Sequence, residues 1–261
     1  MIYDCFTFYN SMELLEIRFH ELAHVVDYFV ICEAKERFDG VSKPLHYWDN
    51  RHRFDEFKDK IIHVGLKSLE GGGLEERGVW QCNQIMRGLT KAKDTDLIII
   101  SDNDEIPKAK AIKQLKFPGL APYRPFHQPM YMFYVNWYWA YKWHGSVVLT
   151  YEYLKSHCKT PRQARLDRLH GIPIKQGGWH FSNLGTEEDA YVHRVNNYHC
   201  EGDSTITLGS ISVARSRGQL WEVARRNRKA KLVPITLETH PEHLVNNQNK
   251  FLDIIGGEPL A

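Results

Sequence analysis

The sequence lacks several features that would place it in a class at once. No apolar run approaches the roughly 20 residues that a membrane-spanning helix needs. The five cysteines form no C-x-x-C pair, so neither a disulfide framework nor a zinc knuckle is indicated. The formal net charge is only +2, which gives no electrostatic reason to expect a nucleic acid or a membrane surface as a partner.

The first residues also show no signal-peptide pattern, because Asp4 and Asn10 interrupt the apolar stretch. Together with the missing membrane span, this predicts a soluble, cytoplasmic protein. The 261 residues are 43% hydrophobic and 25% charged, as in ordinary globular proteins. No internal repeat and no linker-like segment divides them, so we expect a single domain over residues 1–261.

The order of the predicted elements favours an α/β fold. A strand over 1–9 is followed by a helix that a capping box at Asn10 and Glu13 opens, and then by a strand over 25–32. A strand, a helix and a second strand in succession form a βαβ unit, which favours a parallel, doubly wound sheet.

The most informative stretch is 96–107, in which an apolar strand ends in a run of acids. Leu97–Ile100 are apolar and mostly β-branched, which is typical of a strand buried on both faces. Asp102 and Asp104 follow, at the place where open α/β sheets bind ligands. Two carboxylates one residue apart repel each other, and Mg²⁺ or Mn²⁺ would relieve that repulsion. The pattern therefore predicts a metal site that grips a diphosphate or, alternatively, an acidic surface turn.

Aromatic residues are concentrated in the second half of the chain. Prolines predict a loop over 118–129, and residues 130–143, with eight aromatic side chains, predict one strand. Core packing accounts for most of these rings, but one strand cannot bury eight rings on a single face. Some are therefore expected to line a groove for sugar rings, and the candidates for acceptor binding are Trp137, Trp139, Trp143 and Trp179.

Three other features have a functional and a structural interpretation. Glu33 ends the second strand, where an acid often binds a ribose or a base, but a solvated carboxylate fits equally well. His180, in the motif Gly177–Ser182, would complete a metal site or serve a structural role. The basic stretch Arg215–Lys231 would fold over an anionic leaving group or form a solvated helix face.

These motifs together resemble glycosyltransferase family 17, which contains the enzymes that add the bisecting N-acetylglucosamine to N-glycan cores. The resemblance implies a GT-A-type (Rossmann-like) fold with a mixed, mainly parallel sheet flanked by helices. It also implies a UDP-sugar donor, a glycan acceptor, a divalent metal (Mn²⁺ or Mg²⁺) and inversion at the anomeric carbon. It spans nearly the whole chain and is carried by Tyr3–Asn10, Glu13–Arg18, Val26–Val30, Glu33–Ala34, Lys43–Leu45, Arg53–Phe54, Ser101–Pro107 and Gly178–Ser182.

The sequence departs from that family at two points. We expect no membrane anchor of the kind that the vertebrate members carry, and Gln81-Cys82-Asn83 stands where the family often has Gln-Arg-Asn. We therefore expect a bacterial or viral member that acts on a polysaccharide or another surface glycan.

The resemblance also implies a division of roles along the chain. Residues 1–107 would form the nucleotide-sugar-binding half, and residues 108–261 the acceptor-binding half. The metal would be held by Asp104, more loosely by Asp102, and by His180. The residues expected to bind the donor are Phe6, Phe8, Glu33, Arg53 and Asn103.

The catalytic base is expected just after the His180 motif. Glu188 is the first candidate, with Glu187 and Asp189 as alternatives, although acids are also typical of helix N-termini for electrostatic reasons. Two other functions fit parts of the pattern. A non-catalytic carbohydrate-binding protein would keep the aromatic groove without the acids, and a metal-dependent phosphohydrolase would keep the acids without the ring-rich strand.

Overall fold

A computed structural model describes residues 1–115, 123–186, 188, 207–217 and 230–257, without the side chains of 140–142. The strands are β1 (Ile2–Phe8), β2 (Tyr28–Ala34), β3 (Ile61–Leu66), β4 (Leu97–Asp102), β5 (Glu105–Pro107), β6 (Tyr123–Met132), β7 (Trp137–Thr150), β8 (Gly178–Ser182) and β9 (Lys231–Leu232). The helices are α1 (Met12–Leu22), α2 (His46–Asp49), α3 (Leu74–Asn83), α4 (Ala109–Lys113), α5 (Tyr151–Tyr153), α6 (Pro161–Leu166), α7 (Leu208–Ser216) and α8 (Glu242–Asn246). Tighter or wider helical turns cover Arg51–Lys60, Gln84–Gly88, Leu154–Cys158, Asp167–Leu169, Gln248–Lys250 and Leu252–Ile254. None of the described helices is long and apolar enough to cross a bilayer.

The described strands form one mixed sheet in the order β3-β2-β1-β4-β7-β6-β8-β5, with β9 paired to β7. β3, β2, β1 and β4 are parallel to one another, whereas β7 is antiparallel to both β4 and β6. β8 is parallel to β6 and pairs antiparallel with β5. The predicted α/β fold, with a mixed, mainly parallel sheet flanked by helices, is confirmed, and its parallel part runs through β3, β2, β1 and β4.

The sheet curls until its last strand returns to its middle. β4 and β5 are four pairings apart along the sheet, which would separate them by about 19 Å if the sheet were flat. Only Asn103 and Asp104 join these two strands, and three Cα–Cα steps span no more than about 11 Å. The β4–β5 turn therefore closes the curl and brings β8 to the carboxyl end of β4.

β4 is buried on both faces, as its apolar sequence predicts. Leu97 and Ile99 belong to the hydrophobic core that α1 covers, and Ile98 and Ile100 belong to the core that contains Ala164 of α6. Burying an aliphatic side chain of this size stabilises the fold by roughly 1.5–3 kcal/mol relative to exposure. The strand is thus a firm base for the turn that follows it.

Two predicted boundaries in the first βαβ unit are wrong. α1 begins at Met12, and no side chain caps it, so the predicted capping box at Asn10 and Glu13 does not form. The next strand also begins later than predicted. The backbone N–H of Val26 still donates to the carbonyl of Leu22, 3.0 Å away, which prolongs the helical turn before β2.

The aromatic run predicted as one strand is divided between two strands. β6 ends at Met132, and β7 begins at Trp137 after a turn in which Phe133 has a φ of 66°. The predicted proline loop is wrong in part, because Pro125 and Pro129 lie within β6. Both stand beside irregularities in the β6–β7 register, where a strand tolerates a residue that lacks the N–H.

At Gly178, β8 lies too close to β5 for a side chain. Its φ is +147°, and a Cβ there would meet the carbonyl oxygen of Ile106 at 2.0 Å. Gly178→Ala should therefore lower the free energy of unfolding by about 2 kcal/mol or more, measured by urea denaturation. The control is Gly257→Ala, where an added Cβ meets nothing within 4 Å. The control should change the free energy by less than about 0.5 kcal/mol, and equal effects of the two substitutions would contradict this packing.

Candidate functional site

The β4–β5 turn carries the predicted acids. Asp102 ends β4, Asn103 and Asp104 form the turn, and Glu105 begins β5. The side chains of Asp102 and Asp104 are 59% and 32% exposed, whereas that of Glu105 is 1% exposed. Two carboxylates are thus accessible to a ligand, and a third is enclosed by protein.

Arg18 of α1 fixes the backbone of this turn from the protein interior. Its guanidinium is fully buried against Asp4, with Nε and Nη2 donating to the two carboxylate oxygens at 2.7 and 2.6 Å. Its Nη1 donates to the carbonyl of Glu105 at 2.9 Å and lies 3.4 Å from the carbonyls of Asp102 and Asn103. Because all these groups are satisfied by one buried cation, they are held in a single arrangement.

A second buried arginine, Arg165 of α6, connects two of the acids. Its guanidinium donates to the Glu105 carboxylate, and its Nη2 also donates to Oδ2 of Asp102 at 2.5 Å. The indole Nε1 of Trp143 donates to Oε1 of Glu105 at 2.6 Å. Burial alone would raise the pKa of Glu105, but the Arg165 guanidinium holds that pKa below its usual value. Asp102 and Glu105 therefore share one cation.

Asp104 is paired with His180 of β8. The β5–β8 register places His180 opposite Glu105, and its Nε2 lies 3.2 Å from Oδ2 of Asp104. Burial disfavours the imidazolium, but the carboxylates of Asp104, Glu105 and Asp102 outweigh it and raise the pKa of His180. The structure thus places His180 as a hydrogen-bond partner of Asp104.

The turn offers oxygen atoms that suit a hard divalent cation. Oδ1 of Asn103 is buried and has no hydrogen-bond partner among the described residues. Its chain neighbours Asp102 and Asp104 add two accessible carboxylates. Carboxylate and amide oxygens are ligands of Mg²⁺ and Mn²⁺, so these three residues fit such an ion. The predicted set Asp102, Asp104 and His180 does not form one compact cluster within the described ranges, and Oδ2 of Asp102 accepts a hydrogen bond from Arg165.

Three of the residues predicted to bind the donor are enclosed by the protein. Phe6 and Phe8 are at most 2% exposed and belong to the hydrophobic core, so neither ring offers surface to a base. Glu33 is fully buried, accepts two backbone N–H groups of α2 at 3.1 and 2.9 Å, and lies 2.9 Å from Nε2 of His63. Its carboxylate therefore orders the chain after β2. Arg53, in contrast, is exposed.

Of the tryptophans predicted to bind an acceptor, Trp143 lies at this site. It is half-buried, and its ring centre is 5.1 Å from that of His180. The guanidinium of Arg168 lies 5.1 Å from the same ring. The others are at most 4% exposed and belong to hydrophobic cores: Trp137, Trp139 and Trp179.

The predicted catalytic acids are only partly within the described ranges. Glu188 is exposed, whereas Glu187 and Asp189 lie outside the described residues. The basic stretch also lies outside them over 218–229. Arg215 of that stretch is described, and its guanidinium donates to a backbone carbonyl at 2.6 Å.

The sequence gives little indication of the arginines that organise the site. Arg165 and Arg168 lie within 152–176, whose polar and basic composition suggests a solvated segment. Arg18 carries a weak signal, because it sits among the apolar residues of α1, where a charge needs a buried partner.

Comparisons with known proteins give one family match and relatives that align with part of the chain. Residues 1–203 match the sequence model of Glycosyltransferase family 17. The beta-1,4-mannosyl-glycoprotein 4-beta-N-acetylglucosaminyltransferases of Homo sapiens and Rattus norvegicus are each 30% identical over 118 residues. These matches cover 41% of this chain and 22% of each relative, so the chain corresponds to about a fifth of the curated proteins' length. The inositol-1-phosphate CTP transferase from T. maritima is 10% identical, with 77% of this chain and 96% of that chain covered, at a TM-score of 0.42.

Removal of Arg165 should destabilise the protein, because Glu105 is buried beside it. Arg165→Met leaves Glu105 without its cation and should lower the free energy of unfolding at pH 7 by about 3–5 kcal/mol. The pKa of Glu105 is lower in the folded protein than in the unfolded chain. In the wild type, ionised Glu105 therefore adds to the free energy of unfolding above its unfolded-state pKa. This contribution is lost as the pH falls through its folded-state pKa. In the variant the buried Glu105 carboxyl has no cation beside it and favours the protonated form. The variant's loss of free energy of unfolding, relative to the wild type, should therefore be smaller at pH 5 than at pH 7. Urea denaturation at both pH values measures this.

Arg87→Met is the matched control for that substitution, because Arg87 is exposed. Its effect should stay below about 0.5 kcal/mol at both pH values. The double variant Glu105→Gln/Arg165→Met should regain part of the lost stability, since no charge is then buried alone. An Arg165→Met deficit that does not change with pH would contradict the assigned pairing.

Proposed function

The chain belongs to glycosyltransferase family 17, and from that membership we propose that it transfers N-acetylglucosamine from a UDP-sugar to a hydroxyl of a glycan, with inversion at the anomeric carbon. The curated relatives are N-acetylglucosaminyltransferases by name, and the family region contains both the β4–β5 turn and β8. The observation that carries the proposal is the accessible carboxylate of Asp104 at the carboxyl end of a central strand.

Mn²⁺ or Mg²⁺ is the cofactor that fits this turn. The carboxylates of Asp104 and Asp102 would hold it, and the amide oxygen of Asn103 is a further candidate ligand. Such a cation, when bound, offsets the charge of a diphosphate and stabilises the negative charge that grows on a departing UDP.

The protein's own contribution is to hold the turn in place through hydrogen bonds from three side chains. Arg18 fixes its backbone, Arg165 holds one oxygen of Asp102, and His180 holds one oxygen of Asp104. Groups that are already held in place lose less conformational freedom on binding, so more of the contact energy contributes to affinity.

Trp143 is our candidate for the aromatic side chain that contacts the acceptor. Its ring lies 5.1 Å from that of His180, and such a flat apolar face suits the C–H face of a sugar. The acceptor oxygen then bonds to the anomeric carbon while the bond from that carbon to the UDP oxygen breaks, and a carboxylate takes the hydroxyl proton. Glu188, exposed beyond β8, is our candidate for that base, with Glu187 and Asp189 as alternatives.

Loss of the Asp104 carboxylate should abolish transfer without unfolding the protein. Asp104→Ala should lower kcat/KM by about 100-fold or more, because a ligand of the proposed cation is removed. Release of UDP from an N-acetylglucosamine donor, with and without a glycan acceptor, measures this, and circular dichroism checks the fold. Asp59→Ala, at an exposed aspartate, is the control and should keep full activity. An Asp104→Ala variant with undiminished turnover would overturn the proposed site.

Donor identity can be tested by thermal stabilisation, because a ligand that binds only the native state raises the melting temperature. With Mn²⁺ present, UDP-N-acetylglucosamine should raise the Tm of the wild type, and GDP-sugars should not. Asp104→Ala should lose the response, whereas Asp59→Ala should keep it. A response to GDP-sugars alone, or release of phosphate from simple esters in place of UDP from the donor, would contradict the proposed reaction.

A further inference from the structure

A cluster of metal-binding side chains lies on α1, apart from the acidic turn. Glu16 and His20 are four residues apart on this helix, so they share one face. His243 of α8 reaches the same place, and the ligand atoms of these three side chains all lie within 4.8 Å of one another. A fourth side chain, that of Glu56, has its Oε1 3.9 Å from Nε2 of His20.

The cluster is shielded and held in place by its surroundings. The side chains of Glu16, His243 and His20 are 8%, 18% and 29% exposed. Nε2 of His243 lies 2.8 Å from Oε1 of Glu16, and the rings of His20 and His243 stack at 3.7 Å. The ammonium of Lys250 donates to the same Glu16 oxygen at 2.6 Å. Two imidazoles are therefore pressed together beside a carboxylate that attracts cations.

We propose that Glu16, His20 and His243 bind a Zn²⁺ ion, which fastens the segment 242–250 to α1. Two imidazole nitrogens and a carboxylate oxygen form a donor set that Zn²⁺ accepts in a tetrahedral site, with Glu56 or water as the fourth ligand. Mg²⁺ is a weaker fit, because it prefers oxygen ligands. This site uses none of the acids of the β4–β5 turn. Its test is therefore independent of the test of the proposed transfer reaction.

Binding requires three local changes. Nε2 of His243 binds the ion as the unprotonated nitrogen of a neutral imidazole, whose one proton is then carried by Nδ1. One of the stacked rings turns, since a metal lies in the plane of the imidazole that binds it. The ammonium of Lys250, whose side chain is 58% exposed, moves into solvent and gives up its bond to Glu16.

The test uses the full chain without a polyhistidine tag, stripped with a chelator and then titrated with Zn²⁺ alone. Calorimetry should show one tight site per chain, and a hundredfold excess of Zn²⁺ over its Kd should raise the Tm by about 5 °C or more. Co²⁺ in place of Zn²⁺ should give the visible absorption bands of a tetrahedral site. Absence of a stoichiometric site in the wild type would overturn the proposal.

Two variants separate this site from adventitious binding, which matters in a chain with 14 histidines. His243→Gln should weaken Zn²⁺ binding by about tenfold or more and remove the Co²⁺ bands. His24→Gln, at an exposed histidine just beyond α1, is the matched control and should change neither. Equal losses in the two variants would contradict the assignment.

A third variant keeps the proposal testable if His243→Gln does not fold. Lys250→Gln removes the ammonium that competes for Glu16 and should tighten Zn²⁺ binding several-fold. Unchanged or weaker binding in Lys250→Gln would show that the ion does not use the Glu16 carboxylate.

Discussion

The buried guanidinium of Arg18 is the contact on which the rest of the site depends. It joins β1 through Asp4, α1 through its own backbone, and the β4–β5 turn through the carbonyl of Glu105. A charge cannot leave water without such partners, so the elements that meet there have one low-energy arrangement. The accessible carboxylates of the turn are thus positioned by the interior of the protein.

The sequence was sufficient for the elements that obey local rules. A run of apolar, β-branched residues predicted β4 on its own, and the acids after it were predicted at the strand's carboxyl end. The partners of those acids could not be predicted, because Arg165 is 63 residues from Asp102 and no spacing connects them. The prediction of one strand over residues 130–143 was wrong for a different reason. Its turn contains neither Gly nor Pro, and the residue with a positive φ is Phe133, a bulky type that rarely adopts it.

Residues outside the matched family region complete the core of the protein. The family region ends at residue 203, yet Leu244, Phe251 and Ile254 belong to the same hydrophobic core as Ile106 and Trp179. The side chains of Asn136 and Trp137 also donate to backbone carbonyls near residue 257, at 2.7 and 2.8 Å. The packing around β5 and β8 therefore includes a segment that the family's own sequence pattern does not cover.

The curl of the sheet brings together segments that are synthesised at different times. Asp104 and His180 are 76 residues apart in sequence, and contacts of such separation form slowly because a long loop must close first. Synthesis on the ribosome proceeds from the N-terminus, so a nascent chain that ends before β8 already contains β4 and its acids. At that stage the acids have neither a histidine nor a closed sheet beside them. The histidine partner of Asp104 is therefore added only when synthesis has passed β8.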